Sequence, residues 1–182
     1  MNATSAEKDA TFKMVEAAYE RSYEILRSAG NLPYLSTRAG MWAVSDSLEV
    51  YKAFCHFRIG QYHHVADLGS GDGKVVLIAS IFTQATGYEI NEALYNNSLE
   101  IRRELNLTNA KFLQEDFLRA DLSPYDLLYV YPDKPLYALE KKLLSGWRGR
   151  LLVNGPHFPG RHFRKMAESP RGIGRFVLYE FS

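Results

Sequence analysis

The sequence of 182 residues contains a single cysteine, Cys55. That excludes an internal disulfide, and an unpaired thiol suits a reducing compartment. Long apolar runs are missing too: Val75–Ala79 is far short of the roughly 20 residues that cross a bilayer. The polar opening residues carry no apolar signal-peptide core, so a cytoplasmic protein without a membrane partner is expected. Neither sign of charge is in excess. With 22 Lys and Arg against 21 Asp and Glu, the net charge of +1 gives the whole chain no strong attraction for nucleic acid. Repeats, low-complexity tracts and Gly/Ser linkers are absent as well. One domain over 1–182 is therefore expected, with 1–45 as an N-terminal helical cap and 46–182 as the core.

Helical spacing dominates the start. Phe12, Val15, Tyr19, Tyr23 and Leu26 recur at intervals of three and four, predicting a helix over 6–28 that Gly30-Asn31-Leu32-Pro33 stops. Asp46-x-x-Glu49 reads as a capping box opening a second helix that runs to about Arg58. Strands and helices then alternate. Val65–Leu68, Ala85–Ile90, Ala110–Gln114, Tyr125–Tyr131 and Arg150–Asn154 read as strands, and Arg175–Phe181 as a last one. Val75–Phe82, Glu92–Leu105 and Leu136–Leu144 read as helices between them. This order predicts an α/β, doubly wound, Rossmann-like sheet, mostly parallel, with the N-terminal helices added and the C-terminal strand region shortened.

In such a sheet, ligands bind beyond the C-terminal ends of the strands, where the strand order reverses. The first strand ends in Asp67-Leu68-Gly69-Ser70-Gly71-Asp72-Gly73. Its glycines allow a sharp turn and close approach of a ligand, and the helix that follows offers unpaired N–H groups. Glu89 closes the second strand about 22 residues after Asp67, where an acid can accept both ribose hydroxyls of a nucleoside. Asp116 follows the third strand and can accept an adenine amine, with Ile90 or Phe117 over the ring. Taken singly, each has a bland reading: a tight connection, a solvated acid, a helix N-cap. Their agreement at successive strand ends is what argues for a nucleoside site. A nicotinamide dinucleotide fits less well. Gly69-x-Gly71-x-Gly73 is not G-x-G-x-x-G, and Asp67 with Asp72 would repel a pyrophosphate but attract a sulfonium and an ammonium.

VADLGSGDG, GYEIN and QEDF resemble the corresponding motifs of the class I S-adenosylmethionine-dependent methyltransferases, over about residues 46–155. The resemblance implies S-adenosyl-L-methionine as cofactor, with Asp67, Gly69, Ser70, Gly71 and Gly73 at its methionine end. It places Glu89 at the ribose, and Asp116, Ile90 and Phe117 around the adenine. DLGSGDGKVVLIAS also resembles the small archaeal and mitochondrial protein lysine methyltransferases. In them a Tyr-Val-Pro-Thr-Pro-like segment precedes the first strand; here Met41-Trp42-Ala43-Val44-Ser45-Asp46 stands at that distance, without its tyrosine and prolines. Trp42 and Ser45 are accordingly assigned to a cap over cofactor or substrate, together with His157. Tyr131 and Asp133 are the candidate catalytic residues, and Tyr129 is either their companion or sheet packing. No metal-ligand set is assigned. The segment Tyr129-Val130-Tyr131-Pro132-Asp133 lacks the acid-or-Asn-Pro-Pro-aromatic motif of many enzymes that methylate planar amines of bases or glutamine, which weakens a nucleobase-amine reading and leaves a protein amine as the expected acceptor. The basic residues of the C-terminal third, among them Lys141, Arg150, Arg164, Lys165 and Arg175, read as a solvated face or as a dock for an acidic protein or RNA. RNA and small-molecule acceptors, and a non-catalytic cofactor-binding module, stay open beside the protein reading.

Overall fold

The computed structural model describes residues 3–36, 41–155 and 160–181. Helix α1 (Ser5–Ser28) opens with a capping box between Thr4 and Glu7. It buries Phe12, Val15, Tyr19 and Tyr23, the stripe expected from their spacing. A short antiparallel hairpin follows, β1 (Tyr34–Ser36) and β2 (Met41–Ala43). In α2 (Ser47–His56) the Asp46 carboxylate caps the Glu49 N–H at 2.8 Å, the expected forward half of a box.

The alternating part then runs β3 (His64–Leu68), α3 (Lys74–Ala79), β4 (Gln84–Tyr88), α4 (Glu92–Leu105) and β5 (Ala110–Leu113). It continues with β6 (Leu127–Val130), α5 (Tyr137–Leu143), β7 (Arg150–Asn154), β8 (Phe163–Glu168) and β9 (Phe176–Phe181). Seven strands form one sheet in the order β5-β4-β3-β6-β7-β9-β8, with β3 to β7 parallel and the last two antiparallel. The central strand β6 is buried on both faces, so its sequence is continuously apolar rather than alternating. Its side chains still part by the period of two. Leu127 and Tyr129 join the core under α1, α2, α3 and α4; Leu128 and Val130 join the core against α5 and the C-terminal strands.

The expected shortening at the C-terminus is wrong. A full hairpin, β8 with β9, completes the sheet beyond β7. Strand β8 escapes pattern reading because it is an edge: Arg164 and Lys165 point outward, and a register shift between Lys165 and Ala167 breaks the alternation. Charged residues and a bulge are what keep an edge strand from pairing with other chains. Phe163, Phe176 and Phe181 still go inside, each contributing about 1.5–3 kcal/mol through burial.

The order reverses between β3 and β6, whose register sets Asp67 beside Tyr129. Beyond these strand ends lies the crevice that such a reversal leaves open. No helix among the described residues is long and apolar enough to cross a membrane.

Candidate functional site

A cavity of about 730 Å³ opens at that reversal, within the range of cofactor pockets, about 300–1,000 Å³. Its lining includes Asp67, Gly69, Ser70, Gly71, Glu89, Ile90, Asp116 and Phe117, all expected at the cofactor. Trp42, Ser45, Tyr131 and Asp133 line it too. Gly73 lies just behind, where it caps α3. His157 lies outside the described residues.

The glycine-rich turn is built by backbone geometry. Gly69 and Ser70 both donate N–H to the Tyr88 carbonyl, at 3.0 and 2.8 Å, which folds the end of β3 over β4. Gly71 and Gly73 have φ of +56° and +84°, a region that L side chains enter at a cost of roughly 1–2 kcal/mol. Space is short as well. A Cβ at Gly71 would stand 2.3 Å from Trp42 Cδ1, and one at Gly73 would stand 2.5 Å from Ser98 Cβ. The indole of Trp42 therefore closes over the turn, carried there by the β1–β2 hairpin. The Met41 N–H donates to Asp133 Oδ2 at 2.9 Å and ties that hairpin to the segment after β6.

The carboxylates give the site its electrostatics. Asp67 is 5% exposed and its side chain makes no hydrogen bond among the described residues. Burial pushes its carboxyl well above the ordinary range, and the charges of Glu89 and Asp72 push it further. Glu89 is also raised, chiefly by burial, although it accepts from the Gly71 N–H at 2.9 Å and the Asn91 N–H at 2.6 Å. The Ser70 hydroxyl is buried without a hydrogen-bond partner among the described residues. An unpaired buried carboxylate and hydroxyl in one cavity are costly unless a ligand satisfies them. A positively charged group carrying hydrogen-bond donors is the ligand that does so.

Asp116 is more open: its Oδ1 accepts the Leu118 N–H at 2.8 Å while the residue lines the cavity. Residues 117–120 form a turn and not the helix that the N-cap reading supposes, so Asp116 holds only that turn and still faces the ligand space. Ile90 is 45% exposed at the mouth. On the other side, Tyr129 is fully buried, and its hydroxyl accepts from Asn154 Nδ2 at 3.1 Å. Burial and the Asp67 charge raise the pKa of this phenol, against the opposing hydrogen bonds from Asn154 and Ser45. Tyr131 is half exposed at the rim.

Two contributions are not readable from the sequence pattern. Asn154 has the look of a plain strand end; only its position one residue past the β6–β7 register brings it to Tyr129. Asp72 reads only as charge, whereas it is buried and hydrogen-bonded by α1. The signal that could have found it is Lys74, a cation opening the apolar run of α3, which when buried needs an acid nearby. In the basic C-terminal third, Glu180 pairs with Arg150 and Arg164, and Glu168 with Lys165 and Arg175, so two acids offset only part of its positive charge.

No protein-family profile matches the chain. A curated relative from Caenorhabditis elegans, named as a lysine N-methyltransferase of an ATP synthase component, is 32% identical over 96 residues, which is 51% of this chain and 50% of the relative. The chain thus spans about half the length of that relative. Among solved structures, an RNA methyltransferase from Salinibacter ruber in complex with S-adenosyl-L-homocysteine superposes with a TM-score of 0.63 at 18% identity, covering 76% of this chain and 94% of that one. A SAM-dependent methyltransferase from Aquifex aeolicus gives 0.58 at 16% identity, covering 74% and 92%. Magnesium protoporphyrin IX methyltransferase from Synechocystis, with bound SAM, gives 0.56 at 16%, covering 75% and 81%.

Proposed function

We propose, from a chain with the seven-stranded fold of S-adenosylmethionine-dependent methyltransferases, that it binds S-adenosyl-L-methionine and N-methylates a protein amine, a lysine side chain. The observation that carries the cofactor is the pair of buried carboxylates, Asp67 and Glu89, beside the orphaned Ser70 hydroxyl. These residues fit the group. Asp67 would take the ammonium of its methionine end with the turn from Gly69 to Gly73 beneath it, Glu89 the ribose hydroxyls, and Asp116 the adenine amine between Ile90 and Phe117. When bound, the cofactor supplies a methyl carbon activated by its sulfonium.

The chain's own residues then have to orient an acceptor and exclude water. Trp42, on the hairpin latched by Asp133, covers the turn from one side. Ser45, Tyr129 and Tyr131 wall the cavity next to Asp67, with Asn154 behind Tyr129. An amine approaching there must be deprotonated to attack. The negative potential of the carboxylates draws in the cation. Tyr131 and Asp133 at the rim are proposed to receive it, with Asp133 engaged by the Met41 N–H.

The lysine reading is supported by the name of the curated relative and by the missing base-amine motif after β6. The test has two steps. Calorimetric titration of the purified protein with S-adenosylmethionine, S-adenosylhomocysteine and NAD should show saturable binding of the first two alone. Labelled-methyl transfer to a cell extract should then give label lost to protease and kept under nuclease. Binding of NAD alone, or of nothing, would sink the cofactor assignment; label lost to nuclease would move the acceptor to RNA.

A further inference from the structure

Helix α1 meets the glycine-rich turn with two phenols one helical turn apart. The Tyr23 hydroxyl donates to Asp72 Oδ2 at 2.5 Å, and the Tyr19 hydroxyl donates to the Asp72 carbonyl at 2.8 Å. The other carboxylate oxygen of Asp72 accepts the Lys74 N–H at 3.3 Å. The Lys74 ammonium lies 5.0 Å from the ring centre of Tyr23 and 5.8 Å from that of Tyr19. All four residues are buried, between 1% and 8% exposed. Burial holds both phenols protonated, so toward Asp72 they act only as donors.

Asp72 is therefore committed to the chain's own donors on both carboxylate oxygens and on its carbonyl. It lines the cavity, yet its hydrogen-bonding capacity points to α1 and α3 rather than to a ligand. What the network fixes is the backbone between Gly71 and Lys74. A turn with left-handed glycines on either side of Asp72 has little conformational preference of its own, so something outside it must select its shape.

We propose that Tyr23 and Tyr19 are positioning residues for the amino-acid end of the cofactor, acting through Asp72 to hold the turn in its binding shape. This inference rests on the cofactor reading above. The strand order makes it specific. Asp116 follows β5, Glu89 follows β4 and the turn follows β3, so α1 touches the end of the site farthest from the adenine. Linkage then runs both ways: cofactor that tightens the turn also tightens α1 upon it.

The same helix supplies its own control. Near its start, the Tyr51 hydroxyl donates to Asp9 Oδ1 at 2.6 Å and the Tyr51 ring stacks on Phe12 at 4.3 Å. That contact also docks α1, but Tyr51 does not line the cavity. Wild type, Tyr23→Phe, Tyr19→Phe and Tyr51→Phe would be titrated with S-adenosylhomocysteine and with methylthioadenosine, which keeps adenine and ribose but lacks the amino-acid end. Losing a phenol-to-carboxylate hydrogen bond should raise the Kd of Tyr23→Phe for S-adenosylhomocysteine by about tenfold or more. Its Kd for methylthioadenosine should stay unchanged. Tyr51→Phe should keep both affinities despite a lower melting temperature. Tyr19→Phe, which spares the Asp72 carboxylate, should repeat the pattern of Tyr23→Phe and decides the matter if that variant does not fold. Wild-type affinity in folded Tyr23→Phe and Tyr19→Phe overturns the proposal. So does equal weakening of the two ligands, or equal weakening by Tyr51→Phe. Wild-type protein that binds neither ligand overturns the cofactor reading and this inference with it.

Discussion

Replacing Asp67 with asparagine should raise the stability of the ligand-free protein while it weakens cofactor binding. The two effects have one cause. Asp67 is a buried carboxylate without a hydrogen bond among the described residues, flanked by the charges of Glu89 and Asp72. Asparagine keeps the shape and removes the charge. It still buries a polar group, so the net relief is modest, about 1 kcal/mol after the usual ~1–3 kcal/mol for an unsatisfied amide is set against it. For a domain of this size that corresponds to a melting temperature about 2–4 °C higher. On the binding side, a charge-assisted hydrogen bond to an ammonium is worth about 1.5–3 kcal/mol, or roughly 10- to 150-fold in Kd. Thermal melts with and without S-adenosylhomocysteine, plus calorimetry, read both quantities. A folded Asp67→Asn protein with unchanged affinity would show that the carboxylate faces no cation. A lower melting temperature in the ligand-free state would show that Asp67 holds the turn together instead.

Three other outcomes follow from the same site. Glu89→Ala should weaken cofactor binding by about 1–3 kcal/mol through lost hydrogen bonds to the ribose; because Glu89 also accepts the Gly71 and Asn91 N–H groups, melting should drop as well. Gly71→Val should abolish binding and cost at least about 1–2 kcal/mol of stability, since a β-branched side chain must take a left-handed φ. Its Cβ would also collide with Trp42, and titration beside a melt checks both losses. The third outcome is a pH dependence. Asp67 and Glu89 titrate above their ordinary values, so the folded ligand-free protein keeps protons that the unfolded chain has lost. Their contribution to stability is therefore full below the ordinary carboxylate range and falls as pH rises through the raised values. A bound cation lowers both values and expels those protons. Cofactor affinity should thus rise with pH across that window, and calorimetry in two buffers of different ionisation enthalpy at mildly acidic pH should record proton release. No buffer dependence would refute the shift.

The strands from β3 to β7 and the helices between them are legible because their signals are local. Apolar runs such as Leu127–Val130, bounded by turn residues, specify strands wherever they pack, and α1 declares its buried face by spacing alone. The acids that line the cavity are legible for a related reason. A parallel sheet carries its ligands at strand ends, so Asp67, Glu89 and Asp116 can be placed once the strands are.

Edge strand β8 is not legible, since its charged outward face and register shift erase the alternation that marks a strand. Nor is the closing of the mouth. The β1–β2 hairpin consists of very short strands, and its pairing with Asp133 joins residues 92 positions apart. Asp72 shows the division most plainly. Its presence in a glycine-rich turn is readable as negative charge, but whether that charge faces a ligand or the chain depends on Tyr23, 49 residues earlier. The sequence by itself determined the order of elements and the chemistry stored at each strand end, because both follow from neighbours along the chain. Only the tertiary structure decided which of those acids stay unpaired, because pairing depends on which distant donors the packing of α1 brings within hydrogen-bond reach.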